Sequence, residues 1–90
     1  MNKTRRKAIE EVIKRLNDVQ AEMEAILEDV DGLKDEEQEY LDNMPENLQG
    51  SDRYSAAEEA VGNLEAARDT LEELKDQIDD VTGGLEEAQA

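Results

Sequence analysis

The sequence predicts an all-α fold, an antiparallel coiled-coil hairpin of two long helices. Two runs of apolar residues recur in alternating steps of three and four, the spacing of helices that bury one side along a seam. Between the runs stand the only proline, a glycine and several helix-capping residues, which together mark a turn. Ninety residues suffice for one domain. We therefore expect residues 1–90 to form one hairpin, which can dimerise into a four-helix bundle.

The first helix is expected over about residues 4–43. Asn2 or Thr4 can cap its start, and Pro45 ends it because a proline disfavours helical geometry in the residue before it. Asp31-Gly32 is a turn signal, but the apolar stripe continues in phase, so we predict an unbroken helix with a break at Gly32 as the alternative. The stripe comprises Ile9, Val12, Leu16, Val19, Met23, Ile26, Val30, Leu33, Glu37, Tyr40 and Met44.

The turn is expected over residues 44–52 and the second helix over about residues 53–82. Ser51 or Asp52 can cap this helix, and Ser55 is an alternative because Glu58 completes a capping box with it. Gly83-Gly84 predicts a frayed tail over residues 83–90. The second stripe comprises Ala57, Ala60, Leu64, Ala67, Leu71, Leu74, Ile78, Val81, Leu85 and Ala88.

The two stripes mirror each other about the turn, which predicts their register. With Tyr40 placed opposite Ala57, the remaining stripe residues also align along the whole seam. In this alignment Val30 faces Ala67 and Met23 faces Leu74. Antiparallel pairing also brings the basic start of the first helix beside the acidic end of the second, which offsets two unfavourable helix-dipole interactions.

A partial second stripe lies beside the first helix's seam, and Val61 adds apolar surface near the turn. One interpretation is a wider hairpin core, and the other is an interface with a second copy. Since a lone hairpin buries little apolar area, we expect a homo-oligomer. The candidate self-association residues are Ile13, Leu27, Leu41 and Val61.

Charge is distributed unevenly along the chain, whose net charge is −16. Residues 1–15 hold six of the ten basic residues and only two acidic ones. The acidic remainder repels nucleic acids and anionic membranes and attracts basic surfaces, so no direct nucleic-acid or membrane binding is expected. Arg5, Arg6 and Lys7 are candidate anion contacts, with pairing to the acidic end of the second helix as the alternative.

The residue inventory argues against catalysis and cofactors. Without His or Cys the chain lacks the usual ligands and nucleophiles of zinc, haem and thiol chemistry. Glu37 is the one carboxylate in the predicted seam, and we interpret it as reaching solvent past Ala60 or as a polar residue that sets the register. Asp29, Asp31 and Gly32 do not complete a calcium loop. We expect a non-enzymatic protein with no cofactor or metal, and a cytoplasmic location because no signal peptide or spanning segment is evident.

Residues around the turn carry a resemblance, through DEEQEYLDNMPENLQGS (35–51) and AAEEAVGNLEA (56–66). This third of the chain resembles uncharacterised small acidic helical-hairpin proteins of phages and mobile elements of Gram-positive bacteria. The resemblance implies a setting in which small acidic proteins inhibit host defence or nucleic-acid enzymes. The first functional hypothesis is accordingly a nucleic-acid mimic that binds a basic nucleic-acid-binding or defence protein. The alternatives are a structural or assembly coiled-coil module and an oligomeric sponge for a nucleotide signal.

Overall fold

A computed structural model describes all 90 residues as a helical hairpin. Helix α1 spans Lys3–Asp42, a 3₁₀ turn spans Glu46–Leu48, and helix α2 spans Asp52–Ala88. The two helices pack against each other along a rod whose Cα atoms extend over 70 × 15 × 13 Å. Gln20 contacts Asp79, whereas Asp31, further along α1, contacts Arg68, which comes earlier in α2, so the helices are antiparallel. The predicted fold class is confirmed.

Helix α1 is capped at its start and is continuous over its whole length. The Asn2 side chain accepts a hydrogen bond from the backbone N–H of Arg5 at 2.8 Å, which satisfies one free donor of the first turn. The helix continues through Gly32 without interruption, so the alternative of a break there is wrong. A glycine costs a helix about 1 kcal/mol relative to alanine. Burial of Leu27 and Leu41 on either side offsets that cost.

The connection between the helices is held by its own backbone. Pro45 accepts a hydrogen bond from the backbone N–H of Leu48, and Leu48 in turn accepts one from Ser51. The Ser51 hydroxyl accepts a hydrogen bond from the backbone N–H of Tyr54, so Ser51 is the cap of α2. The alternative start at Ser55 is wrong because that residue lies inside the helix.

Helix α2 is longer than the sequence predicts, since it continues through Gly83 and Gly84 to Ala88. The prediction of a frayed tail over 83–90 is therefore wrong. Leu85 gives the physical reason, because it remains in phase with the seam and is half-buried. Packing of this side chain offsets the helix cost of the two glycines, about 1 kcal/mol each.

Each predicted stripe consists of two sets of residues, and within each set the residues are seven positions apart. In the structure one set of each stripe lies in the interhelical seam and the other does not. On α1 the covered set consists of Ile9, Leu16, Met23, Val30, Glu37 and Met44. The alternate predicted set is exposed: Val12, Val19, Ile26, Leu33 and Tyr40. The residue after each of these is covered instead, as Ile26 at 40% and Leu27 at 4% exposure illustrate. These covered residues are Ile13, Gln20, Leu27, Lys34 and Leu41.

Helix α2 shows the same rotation. Its predicted set of Ala57, Leu64, Leu71, Ile78 and Leu85 is covered. The other predicted set is mostly exposed, with Ala60 half-buried and Ala67, Leu74, Val81 and Ala88 open to solvent. Its place in the seam is taken by Tyr54, Val61, Arg68, Lys75, Thr82 and Gln89. Both helices are thus turned relative to the predicted seam by about 50°, which is half of the angle between successive helical residues.

Axial alignment is nevertheless close to the predicted register. Two ion pairs join Asp31 to Arg68 and Glu24 to Lys75. The predicted register places Val30 opposite Ala67 and Met23 opposite Leu74. Each of the four ion-paired residues comes one position after one of these residues. Relative to the predicted seam, each helix has therefore rotated about its own axis in the same direction along its chain, and the two helices have shifted little along the rod.

The rotation has a physical cause in side-chain length. It exchanges two alanines of the predicted seam, Ala60 and Ala67, for Val61 and Arg68, and it exchanges Leu74 for Lys75. Long basic side chains cover apolar surface with their methylene stems while their charged heads reach carboxylates on the other helix. The seam gains interhelical polar contacts, while Leu33, Leu74 and Val81 of the predicted seam become exposed.

The prediction that Ile13, Leu27, Leu41 and Val61 form a self-association surface is therefore wrong. Leu27, Leu41 and Val61 are buried between the two helices of one chain, and Ile13 is half-buried in the same seam. The alternative interpretation, a wider hairpin core, describes their position.

Candidate interaction surfaces

One side of the rod carries the polar contacts between the helices, and we call it the ion-paired side. Arg68 Nε lies 3.0 Å from Asp31 Oδ1, and Arg68 also pairs with Glu72 along its own helix. Lys75 Nζ lies 2.5 Å from Glu24 Oε2. The carboxylates Glu24, Asp31 and Glu72 each follow a seam residue, so they lie on the same side of the rod.

Gln20 completes the ion-paired side from inside the seam. Its Nε2 atom donates hydrogen bonds to the backbone carbonyl of Lys75 at 3.0 Å and to Asp79 Oδ1 at 2.8 Å. A polar group in a helical seam that finds its partners in one alignment only disfavours the others. Gln20 therefore helps to fix the register between α1 and α2.

Both basic groups on this side are held in their charged form. The hydrogen bond from Lys75 to Glu24 raises the pKa of Lys75 above its ordinary value, against the opposing effect of desolvation. The hydrogen bond to Glu72 similarly raises the pKa of Arg68, which is charged at any physiological pH. These cations lie within reach of carboxylates from both helices and act as structural links.

The opposite side of the rod is an apolar surface, which we call the apolar face. Each of its residues comes three positions after a covered residue of the same helix. Because the helices are antiparallel, the residues at this spacing on α1 and those on α2 lie on the same side of the rod. The apolar face consists of Val12, Val19, Ile26, Leu33 and Tyr40 from α1 and Ala60, Ala67, Leu74, Val81 and Ala88 from α2.

The two edges of the apolar face differ in charge. On each helix we define the edge as the residues that come three positions after those of the apolar face, because the heptad spacing places them at its border. The α1 edge carries Arg15, Glu22, Asp29 and Glu36. The α2 edge has no charged residue and consists of Asn63, Thr70, Gln77 and Gly84. The face is thus bordered by mostly acidic side chains on one edge and by small or neutral ones on the other.

At the turn, the apolar face ends in an open groove of about 440 Å³. Tyr40 and Met44 line it together with Pro45 and Leu48 from the turn, and Glu36 and Arg53 stand among its polar neighbours. Tyr40 belongs to both surfaces, so the groove extends the apolar face toward the turn. It contains no buried polar side chain that lacks a hydrogen-bond partner.

The outer surface is acidic, and most of its carboxylates have no cationic partner. The protein has 26 acidic residues. Only five of them lie within 4 Å of a basic side chain: Glu24, Asp31, Asp35, Asp69 and Glu72. Glu37 is half-buried at the seam, as its position in the stripe indicates, and forms no ion pair.

The basic N-terminal end is open to solvent. Arg5, Arg6 and Lys7 are exposed and form no ion pair with the acidic end of α2. The interhelical ion pairs lie nearer the middle of the rod, at Arg68 and Lys75. Sequence reasoning missed these two residues, although their seven-residue spacing matches that of Asp31 and Glu24 and was a usable signal.

Comparison with protein-family models, curated proteins and solved structures finds no match. Neither helix includes a segment with the length and apolarity needed to cross a membrane.

Proposed function

We propose that this protein acts without catalysis, by binding the basic surface of another protein with its acidic outer surface. The observation that carries the proposal is the large excess of carboxylates without a cationic partner on a rod-shaped molecule. Their field extends into solvent and accelerates encounter with a positively charged surface. The chemistry of the partner follows from this field: a protein whose lysines and arginines ordinarily contact phosphates.

The charge spacing supports a nucleic-acid-binding protein as the partner. A net charge of −16 over 70 Å is one net charge per about 4.4 Å of rod. Double-stranded DNA carries one charge per about 1.7 Å. A single hairpin therefore resembles a duplex in shape and sign, at less than half of its charge density. We infer a competitor that occupies a basic cleft at moderate ionic strength.

Displacement of a duplex tests the proposal. A fluorescent duplex of about 20 base pairs matches the length of the rod, since each pair adds about 3.4 Å. The duplex is bound in turn to each of a panel of bacterial nucleic-acid-binding proteins, and the protein is added as competitor. We expect displacement from at least one of them at micromolar concentration in low salt, weakening as salt is raised.

Matched variants separate charge from helix content. The quadruple variant Glu28→Gln, Glu39→Gln, Glu59→Gln and Glu73→Gln removes four exposed carboxylates that form no ion pair. The corresponding Glu→Asp variant retains the charge at the same positions. We expect the Gln variant to compete at least about tenfold less well than the Asp variant. Equal competition by the two, or no displacement from any panel member in low salt, contradicts the proposal.

A further inference from the structure

We propose that the apolar face is covered by a second copy of this chain, with α1 of each copy lying on α2 of the other. The two rods then run side by side with their turns at the same end, related by a twofold axis along the rod. This inference concerns a different surface from the acidic one and does not rest on the proposed function.

The distribution of exposed apolar side chains points to a single missing interface. Nine large apolar side chains are exposed, and all of them except Met1 and Leu48 belong to the apolar face. Only five residues of the chain are buried, and none has a fully buried side chain. Scattered exposed apolar residues are ordinary, whereas a continuous stripe along two helices marks a contact surface.

Side-chain size favours a second copy in this orientation. The α1 half of the face carries large side chains throughout, whereas the α2 half has alanines at both ends and Leu74 and Val81 between them. Placing α1 on α2 of the second copy brings Tyr40 near Ala60 and Leu33 near Ala67, so that large and small side chains interdigitate. The opposite orientation places α1 on α1 and α2 on α2. Centred on Ile26, it opposes large side chains on α1 to one another and places Ala60 of α2 against Ala88 of the second copy.

Charge favours the same orientation. With α1 on α2 of the second copy, the acidic edge formed by Glu22, Asp29 and Glu36 runs along the uncharged α2 edge. With α1 on α1, Glu22 of one copy would lie near Asp29 of the other, and like charges placed together disfavour association. The apolar face is thus complementary to itself across one twofold axis, as a symmetric dimer interface requires.

The dimensions of the face lie at the lower end of those of a specific dimer interface. From Val12 to Tyr40 the face is about 42 Å long at about 1.5 Å per residue, which with the 15 Å width of the rod gives about 630 Å² per copy. Specific interfaces commonly bury about 600–1,000 Å² on each partner. The assembly would be a four-helix bundle whose ion-paired sides both face outward. Its net charge of −32 over the 70 Å length of the rod is one charge per about 2.2 Å, close to the spacing in duplex DNA.

Sedimentation equilibrium across a concentration series tests the interface. The variant Ile26→Glu with Leu74→Glu places charges on the apolar face, and the control variant Ala25→Glu with Ala66→Glu adds the same charges at exposed positions away from it. We expect dimers for the parent and the control, and at least about thirtyfold weaker association for the face variant, with helical circular dichroism retained. A parent that stays monomeric at 0.5 mM, on the order of the weakest specific complexes, overturns the proposal. Equal weakening by both variants also overturns it.

Cysteine cross-linking tests the orientation, because the chain has no cysteine of its own. A mixture of the single variants Leu33→Cys and Ala67→Cys is expected to form a mixed disulfide in good yield under mild oxidation. The single variant Ile26→Cys is expected to form little disulfide with itself. Efficient Ile26→Cys homodimers without the mixed species would overturn the orientation with α1 on α2.

Discussion

At the scale of single residues, Arg68 and Lys75 decide which side of α2 meets α1. Their stems cover the seam and their charged ends reach Asp31 and Glu24 on the other helix. The sequence identifies them as basic residues in an acidic helix, but charge alone predicts a solvent-exposed position. Only the length of their side chains allows a seam position and a carboxylate contact together.

The ion pair of Lys75 predicts a specific pH dependence of stability. Its pKa is raised in the folded state, so its contribution is complete below the ordinary lysine value and declines as the pH rises through the raised pKa. We expect the difference in urea midpoint between the parent and Lys75→Met to be constant from about pH 7 to 9 and to shrink toward pH 12.

Lys14 provides the control for this experiment, because it is exposed and forms no ion pair. The variant Lys14→Met is expected to differ little from the parent across the same pH range. A Lys75→Met difference that is absent at neutral pH, or that grows on the alkaline side, would contradict the role assigned to the Glu24 contact.

At the scale of the helices, the sequence predicts where they lie better than which way they face. One set of each stripe lies in the seam as predicted, namely Ile9, Leu16, Met23 and Val30 on α1 and Leu64, Leu71, Ile78 and Leu85 on α2. On α1, however, the residues on either side of that set are apolar: Val12 and Ile26 on one side, Ile13 and Leu27 on the other. Periodicity alone cannot choose between them, because both choices preserve the steps of three and four.

Gly32 offers a test of the continuous α1 helix. It adopts helical geometry, and a Cβ atom at this position has nothing within 4 Å apart from its chain neighbours and the backbone of its own helix. We expect Gly32→Ala to stabilise the protein by about 0.5–1 kcal/mol, because alanine loses less backbone entropy than glycine on forming a helix. Urea denaturation followed by circular dichroism measures the change.

Gly50→Ala is the matched control, since Gly50 also has open space around it but lies in the turn, outside both helices. Its effect on the free energy of unfolding is expected to be smaller. Destabilisation by Gly32→Ala would mean that α1 turns at Asp31-Gly32.

At the scale of the whole molecule, the rotation of both helices gives the rod two unlike sides. One side links the helices through Gln20, Arg68 and Lys75. The other leaves a continuous apolar face from Val12 to Tyr40 on α1, with Leu74 and Val81 beside it. The predicted seam would have hidden those residues in the hairpin and left Leu27 and Leu41 for association. The inference that a second copy covers the apolar face therefore depends on this rotation.

The most direct measurement of the rotation is the reactivity of single cysteines at neighbouring positions. The variants are Ile26→Cys and Leu74→Cys on the apolar face, and Leu27→Cys and Val61→Cys in the seam. Labelling by a maleimide is followed at nanomolar protein concentration, where self-association is weak, with unfolded protein in urea as the reference. We expect the apolar-face thiols to react at least about tenfold faster than the seam thiols, because seam positions react only after local opening. Fast labelling at 27 and 61 with protection at 26 and 74 would contradict the account.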